Sequence, residues 1–174
     1  MEFKANIWYE IYNDANNRDD FYVGRHITQD DEYAVFQCVN SNGFNDGLFF
    51  CKTDSIYRVE FNTDYCQAVE KLITYRKTEF KNLKFNTKNL LSEVLTFAKD
   101  TKAIVSIELE NTGSIELLGF IENFSDCQLT TLEISTSGIA NGNGIVRLND
   151  IKNITIDSYK NLKCSILFNL NNNC

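Results

Sequence analysis

The feature that most constrains the fold is a stretch that occurs twice in the chain. GFNDGLFFCKTDSIYRVEF begins at Gly43, and GIANGNGIVRLNDIKNITI begins 95 residues later at Gly138. Each stretch starts with a Gly/Asn turn, enters an apolar strand that carries one basic residue, and ends in alternating Ile or Val positions. Self-similarity at a fixed spacing indicates a repeated fold unit. We therefore predict an internal duplication.

The same shift aligns the surrounding positions without a gap. Lys52 meets Arg147, and apolar strand positions of the first copy meet apolar positions of the second. Three glycines of the first copy also meet glycines of the second: Gly24, Gly43 and Gly47 fall on Gly119, Gly138 and Gly142. Because glycine is uncommon in this chain, the three aligned glycines are the main evidence for a duplication.

Each copy has the pattern of five short strands separated by turns. The glycine inside the long second strand, Gly24 or Gly119, predicts a sharp bend of the kind that small barrels need at their corners. Five short, bent strands favour a small closed barrel over an open sheet. The strands predicted for the second copy cover residues 104–109, 115–124, 128–134, 145–148 and 151–156, and the first copy repeats them over residues 7–61.

Apolar residues at helical spacing predict two helices between the copies. One covers residues 65–75, and the other lies within residues 87–100 with Thr87 as its N-cap. Residues 166–170 are mostly apolar and are interpreted as a strand followed by a polar, fraying end.

The predicted fold class is mainly β with a helical connector (α+β), made of two small five-stranded barrels. The first barrel covers residues 1–64 and the second covers residues 101–174. Residues 65–100 form the helical connector, which includes the N-terminal helix of the second unit.

A helix followed by a five-stranded bent barrel resembles the Sm-like fold. In the first motif of that family, a strand glycine precedes an apolar residue and an aromatic residue, as Gly119, Ile121 and Phe124 do here. Ser125 and Leu129 stand where the family has Asp and Asn. An SH3-like barrel has nearly the same strand layout, so both folds remain open.

The second Sm motif, Ile-Arg-Gly followed by Ile, resembles Val146-Arg147-Leu148 and, more weakly, Cys51-Lys52-Thr53. The resemblance implies that Lys52 and Arg147 occupy the place of the RNA-contacting arginine of a ring-forming protein. Thr53 and Leu148 replace the glycine that completes the family's uridine pocket. The apolar framework is therefore kept better than the RNA-contacting positions.

The bulk composition is that of a soluble globular chain. It is 43% hydrophobic and 24% charged over 174 residues, with a formal net charge of −7. This charge argues against a generic polyanion binder and fits a basic partner. No apolar run has membrane-spanning length and no signal peptide is apparent, so we expect a cytoplasmic protein. The lack of proline and the abundance of Asn, Lys and Ile are typical of an AT-rich bacterial or phage genome.

No catalytic or metal-binding signature is present. His26 is the only histidine and has no nucleophile motif near it, so we interpret it as structural. The six cysteines form no CxxC pair, and Cys38 and Cys51 fit buried strand positions. We predict that the protein is not an enzyme and that it uses neither a cofactor nor a metal.

An aromatic-rich surface with nearby cations is the best candidate for binding. Its aromatic density predicts either a stacking platform for single-stranded nucleic acid or a protein-facing patch, and the acidic neighbourhood favours protein. The basic stretch at residues 75–84 is interpreted as a solvated connector. The candidate binding residues are Trp8, Tyr9, Tyr12, Tyr22, Arg25, Lys52 and Arg147.

The sequence thus favours a non-enzymatic, cytoplasmic protein that binds another protein, and its negative charge suits a basic one. An immunity or antitoxin protein, or a phage-encoded inhibitor, would suit its size and charge. The first alternative is an Sm-like RNA-binding protein that assembles into a ring with two barrels per chain. The second is a small-ligand-binding barrel. The oligomeric state is open, and a homo-oligomer is one possibility.

Overall fold

The computed structural model of the chain describes residues 1–110 and 115–172. In this part, the chain is mainly β, as predicted, and it has three α-helices, of which the sequence predicted the two between the copies. It divides into two compact units, Met1–Leu90 and Leu91–Cys174.

The first unit is a five-stranded antiparallel sheet followed by a helix. Its strands pair in the order β5-β1-β2-β3-β4, so that β1 to β4 form a meander and β5 returns to pair with β1. The elements are β1 (Trp8–Tyr12), β2 (Tyr22–Gln29), β3 (Tyr33–Val39), β4 (Asn45–Lys52), β5 (Arg58–Phe61) and α1 (Asp64–Arg76).

The second unit has the same order of strands. Its sheet runs β10-β6-β7-β8-β9, in which the fifth strand again pairs with the first. The elements are α2 (Leu90–Asp100), β6 (Ile104–Leu109), β7 (Ile115–Phe124), β8 (Gln128–Ile134), β9 (Ala140–Arg147), β10 (Ile151–Ile156) and α3 (Tyr159–Asn172).

The elements of the two units recur at the spacing that the sequence suggests. From the third strand to the final helix, each element of the second unit starts at or within two residues of the position 95 residues after its counterpart. The ungapped alignment is wrong in the first strand, however. Tyr9 pairs with Gly24, whereas the residue that pairs with Gly119 is Val105, one position beyond the ungapped match.

The second strand is irregular in both sheets. The register with the third strand shifts between His26 and Thr28 in the first unit, and between Ile121 and Asn123 in the second. These shifts lie two residues beyond Gly24 and Gly119, close to the predicted bends. Within each unit the fifth and fourth strands are the outer ones, so neither five-stranded sheet closes on itself and the closed barrel stays a prediction.

The helix after the fifth strand covers one face of the sheet in each unit. In the first unit, Val69 of α1 packs with Trp8 and Val23, and the opposite face of the sheet buries a second cluster around Phe36 and Phe49. The second unit packs Ile104 and Ile134 against the α3 residues Cys164 and Phe168. Cys38 and Cys51 are buried, as predicted.

Two details of the predicted helices need correction. The cap before α2 is Asn86, whose side chain accepts a hydrogen bond from the Lys88 N–H at 3.0 Å, and a short 3-10 turn over Thr87–Asn89 precedes the α-helix. The predicted C-terminal strand is wrong, because this segment lies within α3. Asn161 and Cys164 are buried and Phe168 is half-buried, and this spacing is helical.

A turn glycine meets this final helix in both units. Gly43 and Gly138 have φ values of 79° and 71°, a left-handed conformation that glycine tolerates. A Cβ on Gly43 would lie 2.7 Å from Cβ of Leu72 in α1, and one on Gly138 would lie 2.6 Å from Cβ of Leu167 in α3. The missing side chain therefore lets the turn contact the helix backbone.

Substitutions at Gly138, in this turn, and at Gly142, within β9, distinguish backbone strain from the clash of an added side chain. Gly142 has a φ of 85°, and a Cβ there would meet no atom within 4 Å. Gly142→Ala should cost about 1–2 kcal/mol of the free energy of unfolding, because only the backbone is strained. Gly138→Ala should cost clearly more, because α3 must also move. Urea unfolding of both variants measures the difference, and equal losses would contradict the proposed contact.

Candidate interaction surface

The outward face of α3 carries an apolar stripe. Tyr159, Leu162, Ile166 and Leu170 are 50%, 47%, 50% and 61% exposed. Their spacing of three, four and four residues places them on one side of the helix, opposite the side that packs on the sheet. A surface helix normally carries polar or charged residues on the face opposite its packed side. We call these four residues the α3 stripe.

The scaffold itself does not require this stripe. The corresponding positions of α1 are Asp64, Gln67, Lys71 and Tyr75. Three of these four are polar, and α1 still packs on its sheet in the same way. The apolar outward face is therefore a property of the second unit and not of the fold.

Ile139 adds an exposed apolar side chain beside the C-terminal half of α3. It is 60% exposed and follows Gly138, whose carbonyl accepts a hydrogen bond from the Asn171 amide at 2.9 Å. Its counterpart Phe44 is covered by the guanidinium of Arg76, 4.1 Å from the ring centroid. Asn171 occupies the position of Arg76 and cannot provide this cover.

The charges on α3 are positive. Lys160 and Lys163 are exposed, and the described helix contains no acidic residue. Lys163 lies next to the α3 stripe on the helix surface, since it is three or four residues from Tyr159, Ile166 and neighbouring stripe positions. A complementary surface would combine apolar side chains with carboxylates.

The aromatic residues singled out in the sequence lie mostly in the interior. Trp8, Tyr9 and Tyr12 are buried because both faces of β1 are covered. Tyr22 is half-buried and stacks on Phe49, with ring centroids 3.9 Å apart. These rings pack the sheet, so they do not form the exposed patch that their density suggested.

Lys52 is the last residue of β4 in the first unit, and Arg147 is the last residue of β9 in the second. Lys52 pairs across the sheet with Tyr33, near several carboxylates. Burial raises the pKa of the Tyr33 hydroxyl, and the negative charges of Glu32, Asp30 and Asp54 raise it further. The surroundings of Lys52 are thus acidic.

Arg25 is held in a defined position on the helix side of the first sheet. Its guanidinium lies 4.9 Å from the ring centroid of Phe80 and 5.8 Å from that of Trp8. Its Nε and Nη2 atoms donate to Oε1 of Gln37 at 3.0 and 2.6 Å. The sequence analysis did not identify Phe80 and Gln37 as neighbours of Arg25. The available signal for Phe80 was an aromatic residue between charged residues in the basic stretch 75–84.

His26 lies between aromatic rings, as expected of a structural histidine. It stacks on Phe3 with ring centroids 4.9 Å apart, and the ring of Phe36 is 5.6 Å away. Burial lowers the pKa of the imidazole below its usual value. Nε2 is buried without a hydrogen-bond partner. These contacts favour the neutral ring.

Searches for other kinds of site are negative within residues 1–110 and 115–172. No group of three or more His, Cys, Asp or Glu side chains in these ranges could hold a metal ion. None of the described helices is long and apolar enough to cross a membrane. Comparison of the chain with protein-family models, with curated proteins and with solved structures finds no match.

The environment of His26 predicts a pH dependence of stability. Its pKa is lower in the folded state, so the unfolded state takes up the proton first as the pH falls. The contribution is present above pH 6.5, the unfolded value, and is lost progressively below it. His26→Phe should retain ring packing and lose less stability between pH 7 and pH 5 than the native chain does. Parallel pH-dependent losses in urea unfolding would exclude this role for His26.

Proposed function

We propose that this protein is a non-enzymatic binding protein whose partner is another protein that docks on the second unit. The α3 stripe is the observation that carries the proposal. Four large apolar side chains about half exposed on one helix face are unfavourable in water. Exposed apolar patches of this kind mark interaction sites in soluble proteins.

The partner should present apolar anchors flanked by carboxylates. Lys160 and Lys163 supply the positive charge, and they would pair with acidic groups at the rim of the interface. The net charge of −7 predicts a basic partner for the chain as a whole, but the local chemistry of α3 favours an acidic rim. Binding would act by steric occlusion, as in an immunity or antitoxin protein or a phage-encoded inhibitor.

The proposed origin of this surface is divergence between two copies of one Sm-like or SH3-like scaffold. Support comes from the shared strand order, in which the fifth strand pairs with the first, and from the turn glycines Gly43 and Gly138. The helix α2 before the second sheet also fits the Sm-like layout. One copy keeps a polar outer helix face, and the other has gained an apolar one.

The ring-forming RNA binder is the weaker alternative. The strand order favours it, and Lys52 and Arg147 would contact RNA. Carboxylates of Asp30, Glu32 and Asp54 act on Tyr33, the cross-strand partner of Lys52, and would repel phosphates at this end of the sheet. A protein partner avoids this repulsion.

The test replaces apolar residues of the α3 stripe with the polar residues at the corresponding positions of α1. Leu162→Gln with Ile166→Lys places the residues of Gln67 and Lys71 on the α3 stripe. A partner recovered from the native host would be purified, and its affinity for both forms measured by calorimetry. We expect the double variant to bind at least about tenfold more weakly, since central apolar anchors dominate interface energies. Its stability should be unchanged or higher, because these side chains are exposed.

A matched variant on α1 provides the control. Gln67→Leu with Lys71→Ile makes the reciprocal exchange and should leave affinity for the partner unchanged. Equal binding by the α3 variant and the native chain would overturn the proposed surface. Sedimentation of the chain alone is also informative, since concentration-dependent dimers that the α3 variant abolishes would assign the stripe to a second copy instead.

A further inference from the structure

A polar cleft of about 340 Å³ lies beside Arg25 in the first unit. Arg25 and Gln37 line it on the sheet side, and residues 80–83 of the connector line the other side. Ala5, Asn6 and Ile27 complete its wall, together with His26. Its volume is at the lower end of the range for small-molecule sites.

The side chains that line this cleft carry positive charge. Arg25 and Lys81 belong to the lining, and the lining residues that the structure describes include neither Asp nor Glu. Within the described residues, no carboxylate lies within ion-pair distance of the half-buried Arg25 guanidinium. Charges removed from water are normally paired, so an unpaired arginine at the edge of a cleft favours binding of an anion.

The arginine is preorganised by its neighbours. Gln37 is buried and binds the guanidinium through Oε1, while its own amide donates to the Lys81 carbonyl at 3.3 Å. The rings of Trp8 and Phe80 contact the guanidinium carbon region at 5.8 and 4.9 Å. Two nitrogens are used by Gln37, and Nη1 has no hydrogen bond among the described residues. A fixed donor of this kind suits an oxyanion.

The second unit shows that the fold does not need this arrangement. Arg25 pairs with Gln37 across β2 and β3, and the equivalent cross-strand pair of β7 and β8 is Phe120 with Leu132. Phe120 packs on Phe168 of α3, with ring centroids 4.9 Å apart. The same two positions thus hold an apolar pair in one unit and a polar, charged pair in the other.

We infer that the Arg25 cleft binds a small ligand through an oxyanion group, a phosphate or a carboxylate. Arg25 would donate to the oxyanion from Nη1, and Lys81 would add a second positive charge at the rim. Further basic residues lie near Lys81 in the sequence, namely Arg76, Lys77, Lys84 and Lys88. They would raise the local concentration of anions in an otherwise acidic protein. This activity is independent of the protein-binding surface proposed on α3.

The test uses the full chain and two simple probes. Inorganic phosphate and acetate would be titrated separately at constant ionic strength, and the Arg25 Nε–H and Gln37 amide resonances followed by NMR. We expect saturable shifts with phosphate, acetate or both, and the more tightly bound probe identifies the oxyanion. Phenyl phosphate then reports whether the apolar wall at Ile27 and Phe80 adds affinity.

The decisive variant gives the first unit the residues that the second unit has at the equivalent cross-strand pair. Arg25→Phe with Gln37→Leu installs the pair found at Phe120 and Leu132, and it should weaken phosphate binding at least about tenfold, since one charged, oriented donor is lost. Lys81→Gln changes an exposed side chain, so it tests the cleft without endangering the core and should weaken binding severalfold. The α3 variant Leu162→Gln with Ile166→Lys should bind the probes as the native chain does.

Three results would overturn the inference. The first is an absence of saturable shifts with either probe, and the second is equal binding by the native chain and both cleft variants. The third is a shift of the Arg25 resonance by a single-stranded oligonucleotide at a far lower concentration of phosphate groups than free phosphate or acetate requires. That result would assign the cleft to a nucleic-acid backbone.

Discussion

The architecture of each unit depends on the contact between a turn glycine and the helix that follows the fifth strand. Gly43 and Gly138 bring the turn between the third and fourth strands against the backbone of α1 or α3. This contact anchors the helix at one end, while a polar contact from the first strand anchors the other. Glu10 binds Thr63 at the start of α1, and Ser106 binds Asn161 in the first turns of α3. These contacts hold both ends of the helix, so that sequence position decides which side chains lie on its outer face.

A helix fixed in this way can vary on its outer face without loss of the fold. Burial of Val69 in α1 and of Cys164 in α3 supplies the packing, and each buried apolar side chain contributes on the order of 1.5–3 kcal/mol. The outer positions contribute little to that packing, so they can be polar in α1 and apolar in α3.

The cross-strand pair on the sheet beneath the helix can vary in the same way. The cross-strand pair Arg25–Gln37 keeps its place because Trp8 and Phe80 cover the guanidinium, whereas Phe120–Leu132 needs no such cover.

Most of the β structure could be predicted from the sequence, but the site could not. Alternating residues such as Ile104 to Leu109 define strands clearly, and the glycine spacing located the matching turns.

The aromatic density around Trp8, Tyr9 and Tyr12 suggested a binding surface. Such density indicates a surface only when one face of the strand is exposed, and β1 is covered on both faces. The α3 stripe was missed because the mostly apolar segment 166–170 was interpreted as a strand. Extending the window back to Tyr159 reveals the helical spacing of Tyr159, Leu162, Ile166 and Leu170. The Arg25 cleft depends on residues 80–83 folding back over the sheet, which no local pattern specifies.

The distribution of charge follows the same division between the units. The first unit places the half-buried Arg25, which has no carboxylate within ion-pair distance among the described residues, at the edge of a cleft, where an anion would be attracted more strongly than in open water. The second unit exposes its cations, Lys160 and Lys163, in water beside apolar side chains. Exposed lysines attract a partner weakly and mainly orient it, so affinity at α3 must come from apolar burial. The two units therefore carry chemically distinct surfaces: a positively charged cleft in the first, which we propose binds a small anion, and an apolar helix face in the second, which we propose binds a protein.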